Sequence, residues 1–292
     1  MLAHPLFPLA RAIPLALSSG QYSALYDMCS NAFRDEVSRE EFISFAADFH
    51  RDLECYEEQP LSVVPLNAMT RFVWTACDGQ KGLSAAIDAD GIIHGLRLSH
   101  LTSHPDTDQA CSRHLYRLPF QGTWFTFWGG KNELINYHYA YDNQRYAYDF
   151  LIMQAGRSCH GDPAVNESYY AFDQPIVAPC AGKVVKIANE VPDNVPIGVV
   201  NEEQPAGNFV EIDHGQGEFS LLAHLKQHSV SVKPGDVVSA GEIIGRCGNS
   251  GNSSEPHLHF QVSNALNLYT AISIPIRFSG EEPIIQGMFV SG

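Results

Sequence analysis

The run His257-Leu258-His259-Phe260 carries the clearest chemical signal in the chain. It reads as a strand, and side chains on a strand alternate between faces, so His257 and His259 project together while Leu258 and Phe260 turn the other way. Two imidazoles side by side can share a metal ion, or one can bind metal while its neighbour moves protons. The plainer alternative is an exposed strand with two ordinary histidines. Context argues against it. The run follows a polar loop, residues 248–256, that delivers the strand start to an open surface, and a third histidine, His224, ends the apolar strand FSLLAH where packing alone would favour an apolar residue.

These residues need a scaffold, and beyond residue 120 nearly everything reads as strand and turn. TWFTFW (123–128), YAYDFLI (146–152), GKVVKIA (182–188), NFVEID (208–213), FSLLAH (219–224), SVSV (229–232), EIIGR (242–246) and HLHFQV (257–262) are short runs punctuated by glycine. That pattern predicts a mainly antiparallel sandwich or barrel over 121–292. The N-terminal part differs. Residues 1–55 read as helical, with Ser38 and Glu41 in capping-box form and Phe42, Phe45, Ala46 and Phe49 on one helical face. Short strands follow at LSVV, 71–77, 82–88 and 91–98, the last two joined through the turn formers Asp88 to Gly91. The expectation is two domains: a small α+β module over 1–101, a linker over 102–120, and the β domain over 121–292. The N-terminal module resembles the cone-shaped, nuclear-transport-factor-like α+β modules.

The motifs of the β domain point further. A-H-L (223–225), V-K-P-G-D-V-V (232–238), G-E-I-I-G (241–245), G-N-S-G (248–251) and P-H-L-H-F (256–260) closely resemble the lysostaphin/LytM-type zinc metallopeptidases, as do V-A-P-C-A-G-K-V-V (177–185) and G-N-F-V-E-I-D-H-G (207–215). The resemblance runs from about 123 to 265. It implies one Zn²⁺ held by a His and an Asp from one segment and by the second His of HxH. The first His of HxH and the His of the A-H-L strand remain unligated beside the metal. Carried onto this chain, His259 is a ligand and His224 and His257 form the catalytic pair. Asp149-Phe150 matches the family's D-F, which makes Asp149 the second ligand. Here the sequence departs from the family, whose spacing is HxxxD. Four residues before Asp149 stands Arg145, which has no acceptor and cannot ligate a cation. His138 lies with ten residues between it and Asp149, and a loop of that length can return a side chain to the same site. His138 is therefore the expected third ligand, with Asp142 and His160 as the other candidates and a site without metal as the plain alternative.

What the resemblance implies is a zinc-dependent endopeptidase acting on peptidoglycan stems or cross-bridges. A degenerate member that binds peptidoglycan or a partner protein without hydrolysis is the rival, favoured by Arg145 and the lack of a convincing secretory signal and disfavoured by the retained His224, His257 and His259. An intracellular peptidase acting on a protein or peptide is a third reading. Asn136, Tyr137, Trp124, Trp128, Tyr139 and Tyr141 read as core or loop packing ahead of substrate contact. His214 reads as a turn residue and His228 as exposed, and the six histidines before residue 121 show no catalytic context. No GxSxG, HExxH or phosphate-cradling glycine motif is present.

Composition narrows the partners. With 18 Lys plus Arg against 33 Asp plus Glu the formal charge is −15, and no basic stripe exists, which argues against nucleic acid or an anionic membrane surface. It also argues against a wall enzyme held on an anionic polymer by its own charge. No run of about 18 apolar residues predicts a transmembrane helix. The N-terminus, broken by Pro5, Pro8 and Pro14, makes a poor secretory signal. The seven cysteines show no CxxC pair and read as mostly buried thiols. On this reading the expectation is a soluble, intracellular chain, cytoplasmic as the sequence stands.

Overall fold

Ser38 begins the longest helix of the N-terminal unit in the expected way. Its hydroxyl accepts from the Glu41 backbone N–H, and the Glu41 side chain accepts from the Ser38 N–H, a complete capping box. The computed structural model describes residues 4–266, 270–280 and 283–292. Within it the chain divides into two units, Met1–Thr102 and Ser103–Gly292.

The first unit opens with five helices: α1 (Phe7–Ala10), α2 (Ala12–Ser18), α3 (Tyr22–Asp27), α4 (Asn31–Glu36) and α5 (Arg39–His50). A four-stranded antiparallel meander follows: β1 (Ser62–Leu66), β2 (Met69–Thr75), β3 (Lys81–Ile87) and β4 (Ile93–His100). Phe42, Ala46 and Phe49 of α5 are buried, whereas Phe45 is 59% exposed, so the apolar face is narrower than its spacing predicts. Phe72, Trp74, Leu83 and Ile93 cover the helices from the sheet side. At the β3–β4 turn the Asp88 carboxylate accepts from the N–H groups of Asp90 and Ile92, which fixes the hairpin.

The cysteine reading needs correction in this unit. Cys55 and Cys77 form a disulfide, with Cα atoms 5.7 Å apart. The two lie 22 residues apart in sequence, and their approach depends on Cys77 leaving β2 alongside the 55–57 segment. Of the five free cysteines Cys29 and Cys247 are buried, Cys111 is exposed, and Cys159 and Cys180 are half-buried.

The second unit holds α6 (Pro105–Asp108) and ten strands: β5 (Thr123–Trp128), β6 (Tyr148–Leu151), β7 (Pro175–Val177), β8 (Gly182–Ala188), β9 (Asn208–Asp213), β10 (Phe219–Leu225), β11 (Val237–Val238), β12 (Ile243–Arg246), β13 (Leu258–Ser263) and β14 (Phe289–Ser291). Eight form one sheet in the order β11-β8-β9-β10-β13-β6-β5-β14, and β12 pairs with β7. Every strand pairing is antiparallel. The run 229–232 is not a strand: the Ser229 N–H bonds the Lys226 carbonyl in a turn, the Val230 N–H bonds the Asn189 side chain, and the Ser231 N–H meets the Ile244 carbonyl of β12 without forming a ladder. One face of the sheet packs Phe150, Leu258, Phe260, Val210, Ile212 and Leu222 into the core, leaving the opposite face for the site.

Residues 103–120 belong to this unit rather than forming a free linker. Tyr116 and Phe120 are fully buried, and the Tyr116 N–H bonds the Arg277 carbonyl at 2.9 Å. The cause is Glu218, a buried carboxylate that accepts from the N–H groups of Arg113 and His114, from His114 Nδ1 and from the Tyr116 hydroxyl. Turn formers in 102–120 suggest a free connection, and nothing local in the sequence reveals a partner a hundred residues away. Among the described residues no helix is long and apolar enough to cross a membrane.

Candidate metal centre

Strand pairing assembles the centre. β6 and β13 run antiparallel in a register that sets Asp149 directly opposite His259, and β10 sets Ala223 on the other side of His259. A direct cross-strand pair brings two side chains into contact. His259 Nδ1 lies 3.0 Å from Asp149 Oδ1. His138, on the short 3₁₀ turn Tyr137–Ala140, enters from outside the sheet and places Nε2 3.5 Å from Asp149 Oδ2. One donor atom from each of these three residues lies within 4.8 Å of the others, and all three residues are buried.

Side-chain amides fix which nitrogen of each imidazole carries its proton. Asn136 Nδ2 donates to the carbonyls of Gly130, Arg145 and Ala147, so Oδ1 is the atom that meets His138 Nδ1 at 2.9 Å. Gln261 Nε2 donates to the Asn143 carbonyl, so Oε1 meets His259 Nε2 at 2.9 Å. An amide oxygen can only accept, so His138 carries its proton on Nδ1 and His259 on Nε2. The remaining nitrogens, Nε2 of His138 and Nδ1 of His259, both face Asp149, the first without a hydrogen-bond partner among the described residues and the second bonded to Asp149 Oδ1 at 3.0 Å, a bond that a cation would replace.

That arrangement is a test of whether a cation fits. His138 Nε2 is buried and has no hydrogen-bond partner among the described residues, a costly state for a polar atom that nothing ligates. Burial pushes the His138 imidazole down to about 3, so this nitrogen is a neutral donor at physiological pH. Burial alone would raise the Asp149 carboxyl, but the surrounding His138, His257 and His259 outweigh it, and Asp149 stays well below the usual carboxylate range. For His259 burial acts downward, and the Asp149 contact and charge reverse the sign and raise it. With His259 in its neutral, Nε2–H form, two imidazole nitrogens and one carboxylate match a three-ligand zinc site with an open fourth position. Tetrahedral ligands at ~2.0–2.1 Å from zinc stand about 3.3 Å apart, and each ring nitrogen lies near that distance from one carboxylate oxygen of Asp149, His259 Nδ1 from Oδ1 and His138 Nε2 from Oδ2.

The two other expected residues border this set. His257 Nε2 is 3.8 Å from Asp149 Oδ1, and its Nδ1 faces the Glu255 carbonyl at 2.8 Å. His224 reaches the site by a backbone device. Alternation along β10 points Ala223 toward the centre and would turn the next residue into the core, yet His224 has φ +62° and sits where the β9–β10 register shifts. The bulge turns its ring back toward His257, with centroids 4.7 Å apart. The carbonyl of Ser250 then accepts from His224 Nδ1 at 2.8 Å, which leaves Nε2 as a lone pair. Burial depresses the His224 imidazole well below its ordinary value and keeps it neutral.

Other candidates lie elsewhere. The Asp142 side chain is 81% exposed and receives the Arg145 guanidinium. Arg145 itself is buried and turned away from the centre, donating to the Tyr139 carbonyl at 2.6 Å. His160 is exposed and stacks on Tyr170. His214 bonds the Ala181 carbonyl and Ser220, and His228 is exposed. Trp124 stacks on Phe120 in the core, and the Tyr139 hydroxyl bonds Asp108. Tyr137, Tyr141 and Trp128, by contrast, line a cleft. Its two lobes, of ≈ 250 and ≈ 280 Å³, share Tyr137 and Asn252, and the centre lies between them: His224, His259 and Gln261 border one lobe, Asp149 and His257 the other. Gln261 was missed at the sequence level, although its place two residues after His259, on the same strand face, is the signal that would have found it.

An antiparallel β unit that presents a buried His–His–Asp donor set and two adjoining imidazoles has the features of a metallohydrolase. Residues 168–269, a stretch that includes His224, His257 and His259 but not His138 or Asp149, match the family model described as peptidase family M23. The C-terminal unit thus contains an M23 peptidase domain at residues 168–269, and Zn²⁺ is the cofactor that this family implies and that the three side chains fit. The chain is 42% identical over 57 residues to the peptidoglycan DD-endopeptidase ShyA of Vibrio cholerae, a match covering 20% of this chain and 13% of that protein. It is 31% identical over 91 residues to the cell division protein DipM of Caulobacter vibrioides, covering 31% of this chain and 13% of that protein. These matches therefore span only a small part of either relative. Among solved structures, the catalytic domain of lysostaphin from Staphylococcus simulans aligns with 27% identity over 44% of this chain and 74% of that one, at a TM-score of 0.28.

Proposed function

We propose that the protein is a zinc metalloendopeptidase that hydrolyses peptide bonds in peptidoglycan stems or cross-bridges, with His138, Asp149 and His259 as the metal ligands and His224 and His257 as the proton-handling pair. The observation that carries the reading is the bare, buried Nε2 of His138 aimed at an ionised Asp149. Zn²⁺ in a three-ligand site supplies Lewis acidity, polarising a carbonyl and acidifying a water. The chain's own residues supply the rest. The cleft receives an extended peptide on either side of the centre, with Tyr137 and Asn252 common to both lobes. His224, held neutral by burial with its Nδ1–H given to Ser250, has Nε2 free to accept a proton. His257, with Nδ1 anchored on the Glu255 carbonyl, presents Nε2 to the same space and can steady a developing oxyanion or hand a proton to the departing amine.

Two observations bear on the rivals named from sequence. Arg145 is one of the two arguments for a degenerate binder, and its guanidinium is committed to Tyr139 and Asp142. The Cys55–Cys77 disulfide supports an oxidising compartment over a reducing cytosol, which suits a substrate in the cell envelope. The substrate class itself rests on the M23 match and on the peptidoglycan-cleaving relative.

The test is metal content together with digestion of purified peptidoglycan. We expect one zinc per chain, lost in His138→Ala and in His259→Ala. His224→Gln and His257→Gln should keep the metal while release of new amino groups falls by roughly 10²–10⁴-fold. Stoichiometric zinc in both alanine variants would sink the ligand set. Sedimentation with the polymer and no released amines in the zinc-loaded protein would establish the binder instead.

A further inference from the structure

The step from His138 to Asp149 is where this chain leaves the HxxxD spacing, and something must hold ten intervening residues so that the two side chains meet. We infer that Asn136 is that element: a positioning residue that closes the excursion at both ends and, through the same side chain, orients His138 for the metal. The inference rests on His138 being a ligand, as proposed above.

Asn136 is fully buried and spends its whole amide. On the nitrogen side its two N–H groups are shared among three carbonyls, that of Gly130 at 3.1 Å and those of Arg145 and Ala147 at 3.2 Å each. Arg145 and Ala147 end the excursion, immediately before β6 delivers Asp149. On the oxygen side it accepts from the His138 backbone N–H at 3.2 Å and from His138 Nδ1 at 2.9 Å. The chain thus leaves and re-enters the site at one side chain. Between these ends the excursion is braced by its own turn bonds, Tyr141 N–H to the His138 carbonyl, Gln144 to Tyr141 and Ala147 to Gln144, and by Arg145 on the Tyr139 carbonyl. The three carbonyls force the amide nitrogen to their side. The oxygen must therefore face the ring, the ring must hold its proton on Nδ1, and Nε2 is left bare toward Asp149. A partner on the far nitrogen of a metal-bound imidazole typically governs 10–100-fold in metal affinity.

Two substitutions separate orientation from mere support. Asn136→Asp keeps an oxygen to accept from His138 Nδ1–H but loses the three donations to carbonyls. Asn136→Ala loses both. The readouts are zinc affinity of the folded protein, from competition with a chromogenic chelator, and the melting temperature of the zinc-free protein. We expect both variants to melt lower than wild type, zinc binding to weaken 10–100-fold in Asn136→Ala, and zinc binding in Asn136→Asp to stay within a few-fold of wild type. A purely structural role predicts that zinc affinity follows stability in both. Wild-type affinity in Asn136→Ala, or an equal loss in Asn136→Asp, overturns the inference. His138→Ala serves as the reference: zinc retained there defeats the ligand assignment, whereas zinc lost there but kept in Asn136→Ala defeats the positioning role alone. If neither variant folds, long-range ¹H–¹⁵N correlation spectra of the zinc-free wild type decide the matter, since the expected His138 tautomer carries its proton on Nδ1 and the Nε2–H form would overturn the inference.

Discussion

Replacing Glu211 by glutamine should make the C-terminal unit more stable at alkaline pH and flatten its pH dependence. Glu211 is 1% exposed, and its Oε2 has no hydrogen-bond partner among the described residues. Burial raises the carboxyl from 4.5 to about 7, with Lys186 pulling weakly the other way. Between those two values the folded protein holds a proton that the unfolded chain has released, so stability is fully present below about 4.5 and is lost as pH rises through about 7. The span of two and a half pH units at about 1.4 kcal/mol each sets an upper limit of about 3.5 kcal/mol, and relaxation and water entry bring the expectation to about 1–3 kcal/mol. Glutamine keeps the shape and never ionises. Urea titrations at pH 5, 6, 7 and 8 on zinc-free protein would measure the effect. A Trp74→Phe background leaves only Trp124 and Trp128, both in the C-terminal unit, to report. The histidines cancel in the difference between the two proteins. Glu211→Gln should gain about 1–3 kcal/mol on wild type between pH 5 and pH 8. Zinc content should be unchanged, because Leu221 on β10 stands between Glu211 and Gln261 in the sheet. Parallel stability curves for the two proteins would refute the reasoning.

Two further perturbations test the scaffold. Gly251 has φ +82°, and an added Cβ would lie 2.3 Å from the Gly207 nitrogen and 2.6 Å from the Pro205 carbonyl oxygen, so Gly251→Ala combines left-handed strain with overpacking at about 2–4 kcal/mol. Because the adjacent Ser250 carbonyl holds His224, peptidase activity should fall along with the melting temperature, and a variant that melts like wild type would show that the loop can yield. In the N-terminal unit, thiol titration of the unfolded protein without reductant should find five reactive cysteines and not seven. Cys55→Ser with Cys77→Ser should cost that unit about 3 kcal/mol by loop-closure entropy, read as a lower urea midpoint for Trp74.

How much of the centre the sequence discloses depends on whether its geometry is local. Alternation along one strand is local, so the shared face of His257 and His259 and the opposite, core-facing turn of Leu258 and Phe260 follow from the four residues alone. The opposition of Asp149 and His259 is a matter of register between strands 110 residues apart, and only the resemblance to a family suggested it. His224 is a sharper case. Alternation counted from Ala223 would send it into the core, and it reaches the site only because a bulge breaks the count, a device with no signature in the run FSLLAH. Arg145 misleads for the same reason in reverse. Spacing places it in a ligand slot, but the excursion from His138 replaces the turn on which that spacing depends, and the guanidinium is spent on backbone and Asp142 inside it. Asn136 and Gln261 look like neutral polar residues until the carbonyls around them are known, since an amide has direction only in relation to its partners. The residues that would touch a metal are therefore readable as types, while those that set each imidazole's free nitrogen are readable only as contacts. Substitutions that conserve the five site residues but remove Asn136 or Gln261 should accordingly leave the sequence looking like an enzyme and weaken what it can bind.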